Sequence, residues 1–283
     1  MLKIGFIGAG TVGTALAILL SRQGYRVAGV SSLSPASATK LAKQVAGCRA
    51  LKDNQAVADS TDLIFITTPD DAIATVASQV KWHKGQGVVH CSGADAAGIL
   101  EPARLSGADT GSFHPLQAFS DVREAMKNMP GTTFAIEAGE PLLGVLKGMA
   151  TAIGGQWLEL KAEDKTAYHA AAVIASNYLV TLVKMATDLW QTFGIPPDRA
   201  KSALLPLLRG TLHNIETIGL PACLTGPIAR GDSGTITKHL QTLQEKAPAL
   251  LPTYRELALQ TVPIALAKGK ISKKQAAELE EML

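Results

Sequence analysis

Three glycines near the start of the chain are spaced as in a phosphate-binding loop. Gly8, Gly10 and Gly13 form the pattern Gly-x-Gly-x-x-Gly between an apolar run over Lys3–Ile7 and a helical pattern over Val12–Gln23. In a strand–loop–helix unit the first glycine permits the turn, the second lets a pyrophosphate approach, and the third lets the helix pack closely. The free amides of the helix start would bind phosphate oxygens. The alternative is a turn without a ligand. The pattern predicts a dinucleotide site formed by Gly8, Ala9, Gly10, Thr11, Val12 and Gly13.

The residues that end the second strand bear on which dinucleotide is bound. NAD sites usually place Asp or Glu there, against the ribose 2′-hydroxyl. This chain has Ser31 and Ser32 instead, with no acid before Asp53. Two hydroxyls can donate hydrogen bonds to a 2′-phosphate, which a carboxylate would repel, and Lys40 can add charge. No arginine stands where NADP enzymes often have one. The pattern favours NADP, and the alternative is that the two serines only turn the chain.

Polar residues also follow two later strands. Because ligands of open α/β sheets bind at the carboxyl ends of the strands, we expect the first group near the adenosine ribose and the second near the nicotinamide. Asp70, the next residue after the first group, either caps the following helix or contacts the cofactor. The two groups are Thr67, Thr68 and Pro69, and Cys91 with Ser92.

A histidine ends the fifth predicted strand. Pro115 restricts His114 to extended geometry, which can aim its imidazole into a cleft. A loop histidine beside a proline can equally bond only to backbone. We predict His114 as a candidate catalytic residue.

A polar stripe marks an otherwise apolar helix. Lys165, His169 and Ser176 fall within roughly 40° of one another at about 100° per residue, with Asn177 on the neighbouring shoulder. Polar groups on a buried helix need partners, which a ligand in a cleft would provide. We predict Lys165 or His169 as the proton donor and Asn177 as the residue that orients the reacting atom. The alternative is that Ser176 and Asn177 join helices and Lys165 is solvated.

A loop rich in glycine and proline over 224–232 carries a further candidate. The planar guanidinium of Arg230 suits a substrate carboxylate, although an exposed arginine in a turn between helices is the alternative. Asp232 is placed to cap a helix that begins at Ser233. We expect Trp157, Trp190 and the leucine-rich stretch 203–208 in the core.

Short apolar runs alternate with helical patterns in the first half of the chain. This alternation predicts an α/β fold with a doubly wound parallel Rossmann sheet. After about 156 no further strand is predicted, and helical patterns cover 162–193, 197–217 and 232–267. We therefore predict a dinucleotide-binding domain over 1–156 and an all-helical substrate and dimerisation domain over 157–283.

Composition excludes several classes of protein. Of 283 residues, 47% are hydrophobic and 18% charged, which suits a well-buried core. A net charge of +3 without a basic run argues against nucleic-acid binding. Three widely spaced cysteines predict neither disulfides nor a metal site. The apolar helix near 168–186 is interrupted by polar residues, which disfavours a membrane span. We expect a cytoplasmic protein that binds no metal, membrane or nucleic acid.

Several segments together resemble a known family. The glycine loop and the stretches 112–119, 165–179 and 224–232 are similar to uncharacterised bacterial proteins that pair a Rossmann-like domain with a C-terminal domain of unknown function. These resemble the pyrroline-5-carboxylate reductases, ketopantoate reductases and 6-phosphogluconate-type dehydrogenases. The resemblance implies NADP binding, a 6-phosphogluconate dehydrogenase-like helical domain that forms a homodimer, and a cleft between domains.

The wider dehydrogenase group carries a catalytic lysine and, further along the same helix, an asparagine. Lys165 and Asn177 are the nearest matches here, at a wider spacing than in the hydroxyacid dehydrogenases. His114 with Pro115 also resembles prephenate dehydrogenases. We expect an NADP-dependent reductase or dehydrogenase for a small anionic carbonyl or imine compound. The alternatives are a pyrroline-5-carboxylate reductase proper and a non-catalytic NADP sensor.

Overall fold

The computed structural model describes residues 2–283 and divides the chain into two compact units, one ending at Ser176 and one spanning Asn177–Leu283. The first unit is built on one sheet of eight strands in the order β3-β2-β1-β4-β5-β6-β7-β8. The strands are β1 (Lys3–Ile7), β2 (Arg26–Ser31), β3 (Arg49–Ala50), β4 (Leu63–Ile66), β5 (Gly87–His90), β6 (Asp109–Pro115), β7 (Thr133–Ala138) and β8 (Gln156–Glu159). The helices are α1 (Thr11–Arg22), α2 (Pro35–Ala42), α3 (Asn54–Ser60), α4 (Asp70–Gln79), α5 (Glu101–Leu105), α6 (Val122–Asn128), α7 (Leu142–Ala152) and α8 (Lys165–Ala175).

Both faces of the sheet are buried at its central strand β4. Leu63 and Phe65 of β4 belong to a core cluster on one face, and Ile64 and Ile66 belong to a cluster on the other. A strand buried on both faces has a continuous apolar sequence, which is why β4 is predictable from its residues alone. The predicted doubly wound α/β fold is confirmed.

The far end of the sheet differs from the prediction in two respects. Strand β7 runs antiparallel to β6, so the sheet is mostly rather than wholly parallel. Strand β8 was not predicted, because all of its residues are exposed and its sequence lacks a buried apolar alternation. Strand β3 was also missed, since it has only two residues, both exposed. The compact units divide after Ser176, whereas the predicted boundary at 156/157 falls inside β8.

The second unit is helical throughout. Its helices are α9 (Asn177–Gln191), α10 (Pro197–Ile218), α11 (Ser233–Lys246), α12 (Leu251–Ala267) and α13 (Lys273–Met282). Ile236, Val262 and Ala265 lie in a small core between α11, α12 and α13. Asp232 caps α11 as predicted, since its carboxylate accepts a hydrogen bond from the Thr235 amide at 3.0 Å.

The predicted core positions Trp157, Trp190 and 203–208 are wrong. Leu207, within the leucine-rich stretch, is 66% exposed, and Trp157 of β8 is 43% exposed. Trp190 is only partly buried. Helices α9 and α10 have one buried residue each, Thr187 in α9 and Ala200 in α10. Helical periodicity shows that one face of a helix is apolar, but it does not show whether that face is buried.

One helical stretch, Ala162–Gln191, is long and apolar enough to cross a membrane by length and composition. It is divided at Ser176, between α8 and α9. Within it, Lys165 is buried, and Lys184 pairs with Asp188. These charges are unfavourable in lipid.

Candidate functional site

The loop between β1 and α1 is shaped by its glycines and by Thr67. Gly8 has φ +109°, and a Cβ there would lie 2.7 Å from the Thr67 carbonyl. A Cβ on Gly13 would lie 2.2 Å from the Thr67 hydroxyl oxygen. That hydroxyl donates to the Gly8 carbonyl at 2.9 Å, so β4 is held against the loop. Gly8 and Gly13 are therefore required by the fold itself.

Gly10 is different, because the protein does not need it to be glycine. A Cβ at Gly10 would meet nothing nearer than the Thr67 carbonyl oxygen at 4.0 Å. No side chain caps α1, and its first residues, Thr11 and Val12, are only partly buried. The free amides at this helix start face a site that an anion can occupy.

A cavity of about 660 Å³ opens beside this loop. Ala9 and Gly10 line it on one side, and Ser32, Thr68 and Pro69 line it on others. Among residues 2–283, the Thr68 hydroxyl is the one buried side-chain polar atom without a hydrogen-bond partner. An unpaired buried hydroxyl is unfavourable, so a ligand in this cavity would provide its missing partner. The cavity has the size and polarity of a small-molecule site.

The end of β2 departs in part from the sequence prediction. Ser31 is only 2% exposed, and its hydroxyl donates to Asn54 Oδ1 at 2.8 Å. Asn54, which sequence reasoning missed, lines the cavity. Ser32 also lines it and remains available. Asp53 is occupied in capping α3, because its carboxylate accepts the Ala56 amide at 2.8 Å.

The predicted residues after β5 form a polar network. Ser92 is buried, and its hydroxyl lies 2.9 Å from carboxylate oxygens of both Asp70 and Asp95. The N-cap of α4 is Pro69, so Asp70 does not cap this helix, and Asp70 does not line the cavity. Its carboxylate instead accepts a hydrogen bond from the Ser92 hydroxyl. Burial raises the pKa of the Cys91 thiol to about 12, so this thiol stays protonated at neutral pH.

Lys165 lies at the centre of the site. The first residue of α8 is 1% exposed, and its ammonium donates to the Ser112 hydroxyl at 2.7 Å and to the Ser92 carbonyl at 3.1 Å. His90, at the end of β5, lies opposite Ser112 of β6 in the parallel register. The Ser92 carbonyl that follows β5 and the Ser112 hydroxyl therefore lie at the same edge of the sheet. Ser112 lies in the stretch 112–119 that resembles the known family, but the sequence alone does not predict it as a site residue.

The charge state of this lysine is set by its burial. Burial lowers the pKa of Lys165 below its ordinary value, and the nearby Glu137 carboxylate opposes this shift. Among residues 2–283 Glu137 has no ion-pair partner, and its carboxylate accepts a hydrogen bond from the Ala97 amide at 2.9 Å. A buried ammonium whose pKa is lowered gives up its proton more readily than an exposed one, which suits a general acid.

Two histidines and a tyrosine complete this cluster. His114 Nδ1 lies 2.8 Å from the Tyr168 hydroxyl. Burial lowers the pKa of His114 to about 4, with Lys165 contributing, and burial raises the pKa of Tyr168 to about 12. Both groups are thus neutral at pH 7. A Cβ on Gly93 would lie 2.8 Å from both His114 Nε2 and His169 Cδ2, so only glycine fits between the two rings.

The sequence pattern groups Lys165 with His169 but does not single out Tyr168, which lies on the same turn of α8. The available signal was the spacing of three and four residues from Lys165, which places both Tyr168 and His169 on one helix face. His90, also missed, is fully buried, and burial lowers its pKa to about 4.

Two predicted catalytic residues lie in the second unit. Asn177 is exposed at the first position of α9. Arg230 lies in the short helical turn Ile228–Arg230, with its side chain 65% exposed and its guanidinium 3.9 Å from Asp232. Asp232 is thus an ion-pair partner of Arg230 within the second unit, and both Asn177 and Arg230 are open to solvent there. Among residues 2–283 no group of His, Cys, Asp or Glu is arranged to hold a metal ion.

Comparison with known families matches both halves of the chain. Residues 1–115 match the Rossmann-like domain, and residues 132–261 match the domain of unknown function DUF2520. Over these residues the chain is similar to a Rossmann-like domain followed by DUF2520. The DUF2520 match includes the Lys165 helix, and the Rossmann-like match includes the glycine loop and His114. A search of curated proteins finds no match.

Solved structures share this architecture over nearly the whole chain. A candidate NADP oxidoreductase from Bacteroides fragilis is 25% identical with TM-score 0.72, covering 93% of this chain and 98% of that one. A reductive aminase from Aspergillus terreus, in complex with NADPH and ethyl levulinate, is 18% identical with TM-score 0.66, covering 100% and 99%. The pyrroline carboxylate reductase of Plasmodium falciparum, with NADP bound, is 17% identical with TM-score 0.60, covering 95% and 97%. The likeness of the last two is one of fold.

The contrast between Gly8 and Gly10 generates a prediction. Gly8→Ala forces a side chain into left-handed backbone and against Thr67, so it should lower the free energy of unfolding by more than 1 kcal/mol. Gly10→Ala should leave stability within about 0.5 kcal/mol and weaken dinucleotide binding by at least about tenfold. Urea unfolding and nucleotide titration measure the two effects. Equal destabilisation by both changes would contradict the assignment of Gly10 to the ligand.

Proposed function

We propose that this protein is an NADP-dependent oxidoreductase that transfers hydride between the nicotinamide and a small, anionic carbonyl or imine compound. One observation carries the proposal. The sheet that presents the bare glycine loop at the end of β1 also presents the buried Lys165 ammonium at the ends of β5 and β6. Ligands of such sheets bind along this edge.

Steric and electrostatic features support a dinucleotide with a 2′-phosphate. The cavity beside Gly10 has Ser32 where an NAD site would carry an acid, and Asp53 is engaged in capping α3. A 2′-phosphate would therefore meet hydroxyls rather than a carboxylate. The fold shared with enzymes whose structures contain NADPH or NADP agrees with this choice.

The chemistry asks little of the protein beyond alignment and a proton. Hydride adds to the carbon of a C=O or C=N bond, and the electron pair of the bond moves to oxygen or nitrogen, which then takes a proton. Lys165 supplies that proton from its ammonium. Its neutral amine is then stabilised by burial and accepts a hydrogen bond from Ser112. The bound cofactor supplies the hydride.

Tyr168 and His114 act beside the lysine as a neutral pair. The Tyr168 hydroxyl and His114 Nδ1 form a hydrogen bond. This bond orients the imidazole and leaves its Nε2 directed toward Gly93. When the tyrosine donates, Nε2 carries the hydrogen and can donate to the substrate. His114 is the substrate contact and Tyr168 is the positioning residue.

Two roles in the second unit remain predictions: Asn177 orients the reacting atom, and Arg230 binds the substrate carboxylate. The cytoplasmic location of the protein also remains a prediction. We assign cofactor binding to the first unit and self-association to the second.

A homodimer accounts for the exposed apolar surface of α9 and α10. With one buried residue each, these helices gain too little from burial in a single chain to be stable. Their exposed apolar residues define the α9–α10 surface: Tyr178, Val180, Leu182, Leu205, Leu207, Leu212, Ile215 and Ile218. A second copy offers the same surface, so a two-fold interface buries both at once.

The experiment that tests the function begins with nucleotide binding. We expect NADPH to bind with micromolar or tighter affinity and to reduce a panel of small cyclic imines and oxo acids, with 1-pyrroline-5-carboxylate included. Nicotinamide fluorescence measures binding, and loss of absorbance at the NADPH band measures turnover. Binding without turnover of any imine or carbonyl would favour the sensor. No binding of either nucleotide would overturn the proposal.

Lys165→Ala should abolish turnover and leave NADPH affinity within about twofold, since it removes the proton donor but no cofactor contact. In the wild-type protein the reduction rate should fall as pH rises through the lowered pKa of Lys165, because the acid form is lost there. Stopped-flow rates measure both. Lys161→Ala, an exposed neighbour, is the control, and lost cofactor binding in Lys165→Ala would mark the residue as structural.

Tyr168→Phe should slow turnover by roughly 10- to 100-fold without changing NADPH affinity, because His114 loses the bond that sets its tautomer. Nitrogen NMR shifts of the His114 ring should change in parallel. Tyr254→Phe is the matched control, since the Tyr254 hydroxyl lies 2.9 Å from His239 Nδ1 in the same arrangement. An unchanged ring spectrum in Tyr168→Phe would contradict this role.

Charges placed on the α9–α10 surface should separate the dimer. Val180→Glu with Leu207→Glu puts carboxylates at two highly exposed apolar positions, where burial in an interface would be unfavourable. Light scattering after size exclusion should report a dimer for the wild type and a monomer for this variant. Leu105→Glu, at an equally exposed apolar position of α5, should remain dimeric. A monomeric wild type would refute the interface.

A further inference from the structure

A second cavity lies on the other side of the glycine loop. It has a volume of about 500 Å³ and is formed where α1, α2 and α6 come together. Gly10 and Thr11 contribute the loop side, Ser37 and Lys40 come from α2, and Arg123 comes from α6. This cavity is distinct from the 660 Å³ cavity, although Ala9 and Gly10 line both.

The charge of this second cavity is positive throughout. Lys40 and Arg123 line it, and no Asp or Glu does. Neither cation forms an ion pair with any carboxylate of residues 2–283. Asp121 caps α6, and Arg123 is among the lesser causes that lower the pKa of this carboxylate, after its hydrogen bond from the Glu124 amide. Two unpaired cations beside an uncapped helix start make a site for a strongly charged anion.

Hydroxyl groups connect the two cavities. Ser34 lines the larger cavity and Ser37 lines the cationic one. The Ser37 hydroxyl donates to the Ser34 hydroxyl at 3.1 Å, so the β2–α2 connection spans the boundary between them. A ribose held at Ser32 would therefore direct its 2′ substituent along this connection, toward Lys40 and Arg123.

We propose that Lys40 and Arg123 form the subsite for the ribose 2′-phosphate and are the residues that make this protein prefer NADP to NAD. The inference rests on the proposed function, because it assigns a part of the cofactor site. The arginine that the end of β2 lacks is supplied by α6. Its guanidinium can pair two nitrogens with two phosphate oxygens, while Lys40 and Ser37 meet the remaining ones.

Both cations are exposed, which limits how much each contributes. Water and salt screen exposed charges, so we expect each single replacement by alanine to weaken NADPH binding by about tenfold. The double replacement should weaken it by roughly 50- to 100-fold. NADH lacks the 2′-phosphate, so its affinity should stay within about twofold in every variant.

The test compares Arg123→Ala, Lys40→Ala and the double variant with Lys127→Ala. Lys127 lies on the same helix as Arg123, is exposed and pairs with Glu124, so it matches the change of charge without lining the cavity. Fluorescence titration gives the affinities for NADPH and NADH. Titration with adenosine 2′,5′-bisphosphate and with AMP isolates the phosphate from the nicotinamide half. Thermal melting of each variant checks that the fold is retained.

The expected result is selective loss of NADPH and bisphosphate binding in the Arg123 and Lys40 variants, with Lys127→Ala like the wild type. A ratio of NADPH to NADH affinity that is unchanged in the double variant would overturn the subsite and leave the oxidoreductase proposal standing. Parallel loss of both nucleotides would also overturn it, since the cations would then serve the pyrophosphate. If the wild type binds neither nucleotide, the subsite and the proposed function both fail.

Discussion

A single buried ammonium group joins helix α8 to the ends of two strands. The Lys165 side chain is removed from water and bonded to Ser112 of β6 and to the carbonyl of Ser92 after β5. A desolvated cation must be held by dipoles and hydrogen bonds, and the elements that supply them cannot move without exposing or orphaning it. The positions of Tyr168, His169 and Gly93 follow from this anchoring of α8.

The glycine loop lies at the same edge of the sheet, and its shape depends on steric packing rather than on a buried charge. Thr67 packs where side chains on Gly8 and Gly13 would stand, which draws β4 close to the loop and leaves the helix start bare. Steric exclusion thus leaves the amides at the start of α1 free, whereas the buried charge of Lys165 and its hydrogen bonds hold the Lys165 cluster together. Both end at the carboxyl edge because parallel strands bring their ends together there.

The strands and helices that can be predicted from the sequence are those whose side chains are buried. Strand β4 could be predicted because each of its residues is buried, and α1 because its apolar side chains repeat at helical spacing. Strand β8 could not, because an exposed edge strand has no pattern of its own. The apolar residues of α9 and α10 show the opposite case, since an apolar pattern in the sequence does not tell a buried face from an exposed one.

The sequence by itself determined the fold class, the glycine loop and the helix that bears Lys165 and His169, because these depend on local spacing. Only the tertiary structure decided that Ser31 forms a hydrogen bond with Asn54, that Tyr168 forms one with His114, and that Arg123 and Lys40 line the same cavity. These pairs come from elements far apart in the chain. Their meeting depends on strand order and register, which set distances that no local pattern encodes.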